Sequence, residues 1–159
     1  MDITIEVTQE FIDYRNEKQA MYNQRGRTDR KFQMDLDCEL FEWYMINVTE
    51  DWEDEPDDWM GDAIIPSPDG YKTVDVKFIA GYYNIDRGKM LNIIQQRHVL
   101  DGYQFMEWVS KPRRPLVVGD TVTCRGVGYL THEELLDNLR RSYKEAYGFY
   151  ADVRKYIAS

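Results

Sequence analysis

The segment Pro66-Ser67-Pro68-Asp69-Gly70 constrains this chain more than any other. It interrupts two runs of strand-forming residues within "GDAIIPSPDGYKTVDVKF", Gly61 to Phe78. Pro presets one turn dihedral, and Asp and Gly accept the others, so the chain reverses here into a β-hairpin. If the turn is symmetric about Pro68 and Asp69, cross-strand partners have residue numbers that total 137. Asp62 then faces Asp75, with Cβ atoms roughly 5 Å apart, which is unfavourable for two anions. Strand alternation puts Asp75 and Lys77 on one face and Val74, Val76 and Phe78 on the other. Lys77 offsets part of the charge as an ordinary ion-pair partner. A hard divalent cation, which takes oxygen ligands at about 2.0–2.1 Å, would offset more. Two carboxylates, a cation and an ammonium together suit attack on a phosphodiester.

The rest of the chain supplies context for that hairpin. Ile3 to Val7 predicts a strand, and Thr8 is placed to cap a helix running towards Gly26. Arg30 to Asn47 predicts a second helix through Phe32, Leu36, Leu40 and Trp43, with Met34, Cys38, Phe41 and Met45 on another side. On such a helix Glu39 falls roughly 60° from Leu36, beside the apolar stripe. A carboxylate there needs a partner, either an arginine or a shared metal or its water, because an unpaired buried charge is costly. Glu42 falls farther round, towards solvent. Gly81 to Gly88 predicts a connector and Lys89 to Leu100 a helix. Gly102 to Ser110 predicts a strand, "KPRRP" a loop, and Val117 to Tyr129 a further strand or strand pair. Thr131-His132-Glu133-Glu134 is a capping box. It opens a C-terminal helix with Leu135, Leu139 and Tyr143 on one stripe. These expectations make an α/β fold with a mixed central sheet flanked by helices. Residues 1–159 read as one domain, with about 1–29 as an N-terminal helical extension.

Charge is unevenly spread. The net charge is −9, but Glu50 to Asp62, "EDWEDEPDDWMGD", contributes −8 of it. This run lacks the Gly at position six and the Glu at position twelve of a calcium-binding loop. It reads as an exposed acidic loop. Basic residues cluster elsewhere, at Arg25, Arg27, Arg30 and Lys31, at Lys111, Arg113 and Arg114, and at Arg140, Arg141 and Lys144. Such clusters are either solvated surface or a phosphate-binding face. No apolar run approaches the ~18 residues of a membrane span. The N-terminus lacks the features of a signal peptide. A cytoplasmic protein without membrane contact is expected, with Cys38 and Cys124 as reduced core thiols.

A helical Glu, then an Asp, then Asp-x-Lys across a hairpin resembles the PD-(D/E)xK nuclease superfamily, the restriction-endonuclease-like fold. The matching residues are Glu39, Asp62 and Asp75-Val76-Lys77, with Gly61 where the name-giving Pro would stand. "DGYQFMEWV" and "GVGYLTHEEL" look like the later strands and closing helix of small phage members. The resemblance runs from about Arg30 to Leu139 and implies a core of helix, three-strand meander, helix and strand. It implies Mg²⁺- or Mn²⁺-dependent hydrolysis of DNA, in the host cytoplasm if the chain is phage-encoded. Asp62, Asp75 and Glu39 would hold or support the metal, and Lys77 would act at the attacking water. Lys111, Arg113, Arg114, Arg30 and Lys31 are the candidate DNA contacts, and a homodimer is compatible with the reading. The alternative is a non-catalytic interaction protein on a nuclease-like fold. Its acidic 50–62 segment would then serve as a partner-binding or DNA-mimicking surface.

Overall fold

The computed structural model describes residues 2–22, 29–54, 63–79, 90–92, 101–137, 139–141 and 149–152. It is a mixed α/β fold. The strands are β1 (Asp2–Glu6), β2 (Glu53–Asp54), β3 (Ala63–Ser67), β4 (Gly70–Ile79), β5 (Met90–Asn92), β6 (Gly102–Ser110), β7 (Thr121–Thr131), β8 (Leu139–Arg141) and β9 (Phe149–Asp152). The helices are α1 (Gln9–Tyr22), α2 (Asp29–Asp37), α3 (Leu40–Asn47) and α4 (His132–Asp137). A six-stranded mixed sheet has the order β1-β7-β6-β4-β3-β2, and a three-stranded sheet the order β5-β9-β8. Contacts divide the chain into two compact units, residues 1–50 with 108–125 and residues 51–107 with 126–159. Among the described residues no helix is long and apolar enough to cross a membrane.

In the first unit, Thr8 begins α1 as its spacing predicts: its hydroxyl accepts the Phe11 N–H at 3.5 Å and its carbonyl the Ile12 N–H at 3.2 Å. The helix expected over Arg30 to Asn47 is broken into α2 and α3. At the break, the N–H groups of Cys38 and Glu39 reach back three residues, to the carbonyls of Asp35 and Leu36. Asp37, fully buried, sits at this corner. Its Oδ1 accepts from the Arg15 guanidinium at 2.9 Å and its Oδ2 from the Leu116 N–H at 2.9 Å, while Arg15 also donates to the Leu116 carbonyl at 2.8 Å. Leu116 lies in the loop after β6, so one carboxylate ties two helices to that loop. Ile5, Phe11, Leu40, Val122 and Cys124 are buried apolar side chains of the same unit. Burial pushes both thiols up, Cys124 to about 12, so they remain neutral, Cys124 as a core group and Cys38 half-buried.

In the second unit, β2, β3 and β4 form an antiparallel meander. The hairpin register matches the expectation: Ala63 pairs with Val74, Ile64 with Thr73, Ile65 with Lys72, Pro66 with Tyr71 and Ser67 with Gly70. Gly70 takes φ 119°, a conformation that a Cβ would strain. Pro66 is tolerated because β2 pairs only with Ala63 and Ile64, so no ladder requires its missing N–H. Strand β6 has the predicted limits and runs parallel to β4, from Val74 opposite Gly102 to Ile79 opposite Glu107. A parallel pair needs a long crossover, which here is the chain between them.

Two predicted helices are corrected. Met90–Asn92, placed in a helix over Lys89 to Leu100, is a strand paired with β9; residues 93–100 lie outside the described residues. The capping box forms, with Thr131 N–H to Glu134 Oε1 at 3.0 Å and Glu134 N–H to Thr131 Oγ1 at 3.1 Å. Its helix ends at Asp137, and Leu139–Arg141 pairs antiparallel with Phe149–Ala151. Cross-strand bonding thus satisfies backbone groups that the apolar spacing had assigned to a helix.

Gly102 is a point of close approach. A Cβ there would overlap the Tyr129 ring and hydroxyl and would lie 2.7 Å from the Leu130 carbonyl oxygen. The backbone atom cannot swing aside. Gly102→Ala should therefore cost about 1–3 kcal/mol, an overpacking penalty, seen in urea unfolding as a lower midpoint at an unchanged slope. An unshifted midpoint would mean that Tyr129 and Leu130 give way freely.

Candidate functional site

Asp75 and Lys77 meet as the alternation of β4 requires. Val74, facing the other way, is completely buried. Asp75 Oδ2 lies 3.0 Å from Lys77 Nζ, with side-chain exposures of 11% and 38%. The carboxylate is thus held nearly out of water while the ammonium keeps contact with it. Water at the Lys77 end screens the pair, so its net contribution to stability is small. The neighbouring strand completes the surroundings. Asp75 is the register partner of Tyr103, and Lys77 of Phe105. Register partners share a face, and Tyr103 and Phe105 are 0% and 2% exposed, so a wall of aromatic side chains lowers the local dielectric.

Tyr103 brings a polar atom into this wall. Its hydroxyl is buried and has no hydrogen-bond partner among the described residues. Burial, and then the negative charge of Asp75, hold its pKa well above the ordinary phenol value. The phenol therefore stays protonated at neutral pH, able both to donate and to accept.

The other predicted residues are distributed differently. Asp62 lies outside the described residues. Glu39 belongs to the first unit, where its Oε1 accepts hydrogen bonds from the Tyr14 hydroxyl at 3.0 Å and from the Lys18 ammonium. Lys18 also donates to Tyr14 at 3.0 Å. Burial alone would lower the Lys18 pKa, but its bond to Glu39 and that residue's charge outweigh it, and the ammonium is held above its usual range. Burial and the Glu39 charge raise the Tyr14 phenol in turn. The partner that Glu39 requires beside the core is thus a lysine from α1. The signal that finds it is the four-residue spacing of Tyr14 and Lys18, which stacks both on one helical face.

The basic candidates Lys111, Arg113, Arg114, Arg30 and Lys31 all fall in the first unit. Arg30, Lys31 and Arg113 are exposed. Arg114 grips Asp120 with two bonds of 2.7 and 2.8 Å and donates to the Pro115 carbonyl at 3.0 Å. Arg114, followed by the Val117 N–H, draws the Asp120 carboxyl down to about 2. Arg114 is therefore a brace across the turn at Gly119, whose φ is 92°. Lys111 Nζ lies 3.4 Å from the Pro112 carbonyl.

Oxygen donors are the ligands a hard divalent cation selects. Asp75 supplies a nearly buried carboxylate, and Tyr103 an orphaned hydroxyl on the same face, so the chemistry of this face fits such an ion. Among the described residues, no group of three or more His, Cys, Asp or Glu side chains is gathered for one. Comparison with protein-family models, with curated proteins and with solved structures gives no match.

Proposed function

We propose that this chain is a divalent-metal-dependent DNA nuclease built on a restriction-endonuclease-like core. The observation that carries the reading is the Asp75–Lys77 pair, a nearly buried carboxylate with an ammonium 3.0 Å away that retains solvent access. It stands on the third strand of an antiparallel meander, followed by a parallel strand. The meander and the parallel strand after it accord with those two parts of the core that the Glu, Asp and Asp-x-Lys resemblance implies; a helix between them is not among the described residues. Asp75, with Asp62, would hold Mg²⁺ or Mn²⁺, which supplies Lewis acidity and lowers the pKa of water when bound. Lys77 stabilises the negative charge that develops at the attacking water. The buried rings of Tyr103 and Phe105 stand on the same face of the sheet as the pair.

The test is cleavage of a panel of duplex, single-stranded and branched DNAs with Mg²⁺ and with Mn²⁺, beside binding to the same panel. Cleavage that chelation abolishes is expected. Binding without cleavage of any substrate, with either metal, would favour the interaction-protein reading. That reading draws on the strongly acidic Glu50 to Asp62 run and on the modest basic content of the chain.

DNA affinity should fall steeply with salt through counterion release. Arg113→Glu should reduce the slope of log K against log salt by about 1, as loss of one phosphate contact would. Arg114→Glu is a poorer probe because it also breaks the brace to Asp120. An unchanged slope in Arg113→Glu would remove that residue from the DNA contact.

A further inference from the structure

The geometry points to Tyr103 as a positioning residue for a hydrated divalent cation at Asp75, its buried hydroxyl accepting a hydrogen bond from the ion's hydration shell. This rests on the metal-dependent reading above. Tyr103 is 0% exposed, and its hydroxyl has no hydrogen-bond partner among the described residues. Leaving a buried hydroxyl without a partner is costly, and native proteins keep few of them. The parallel register places Tyr103 beside Asp75 and on its face of the sheet. Mg²⁺ holds several of its waters rather than exchange all of them for protein ligands. Those waters are strong donors, and the buried phenol oxygen, without a hydrogen-bond partner among the described residues, is an acceptor. One face thus offers a carboxylate for the ion and a neutral acceptor for its hydration shell, while Lys77 Nζ lies 3.0 Å from the carboxylate Oδ2. Outer partners of this kind commonly change metal affinity 10- to 100-fold.

The experiment is a Mn²⁺ titration of the full chain, with free Mn²⁺ read by its electron paramagnetic resonance signal and melting temperature followed in parallel. The unmutated protein, Tyr103→Phe, Asp75→Asn and the double variant are compared. Phe keeps the ring and removes only the hydroxyl, so Tyr103→Phe should melt, without metal, at or slightly above the temperature of the unmutated protein. Its Mn²⁺ affinity should be about 10- to 100-fold weaker. In the Asp75→Asn background the same change should have no further effect. Equal Mn²⁺ affinity in Tyr103→Phe and the unmutated protein would overturn the inference and leave the metal-dependent reading standing. An equal loss on the Asp75→Asn background would also overturn it, since the hydroxyl would then act elsewhere. No Mn²⁺ binding by the unmutated protein would overturn both.

Discussion

Asp37→Asn should destabilise the protein by about 3–5 kcal/mol, the range for removing one partner of a buried ion pair. Asp37 is completely buried and Arg15 is 6% exposed, so neither water nor salt can take the place of the lost carboxylate. The amide is a poor substitute for a geometric reason. Both carboxylate oxygens accept, one from Arg15 and the other from the Leu116 N–H. An Asn side chain offers one acceptor and turns an NH₂ donor towards the remaining donor. Urea unfolding should show the loss, and 1 M salt should leave it nearly unchanged, because buried pairs are little screened. Replacing Arg15 as well should recover part of the energy by removing the stranded guanidinium. It cannot recover all, since the Leu116 carbonyl loses its Arg15 donor. A loss below about 1 kcal/mol would mean that Arg15 escapes to water when Asp37 is changed.

Lys77→Ala should lower Mg²⁺-dependent DNA cleavage by about 10²- to 10³-fold, the usual effect of removing one group that stabilises developing charge. DNA affinity should stay within a few-fold. An interaction made only in the transition state affects turnover without affecting ground-state binding. The ammonium is 38% exposed, so its removal should change stability little, and a melting curve separates inactivity from unfolding. Asp75→Asn should lose cleavage by a different route. Millimolar Mg²⁺ or Mn²⁺ should raise the melting temperature of the unmutated protein and of Lys77→Ala, because a ligand of the folded state stabilises it. Asp75→Asn should lose most of that gain. Full cleavage by Lys77→Ala would take Lys77 out of the mechanism, and an equal metal response in Asp75→Asn would place the ion elsewhere.

What the sequence alone determined about this protein lies close together along the chain. The Pro68-Asp69 turn set the register of five hairpin pairs, from Ala63 with Val74 to Ser67 with Gly70. Alternation along β4 put Asp75 and Lys77 on one face. Thr8 and the Thr131–Glu134 box marked two helix starts through bonds spanning three residues. In each case the determining interaction is made within a few residues, so side-chain chemistry and backbone geometry decide it before any distant segment arrives. Tertiary structure decided the rest. An apolar residue every three or four positions fits a buried strand in a short segment as well as a helix, and only pairing with β9 made Met90–Asn92 and Leu139–Arg141 strands. The Arg30 to Asn47 pattern is continuous, yet the chain breaks at the corner where Asp37 binds Arg15 and Leu116, the latter 79 residues away. Glu39 announced its need for a partner, but Lys18, 21 residues earlier, answered it only once α1 was in place. Tyr103 became a neighbour of Asp75 only when β6 docked parallel to β4. Burying a charge or a hydroxyl obliges the fold to find it a partner, and which residue comes within reach depends on how distant segments pack.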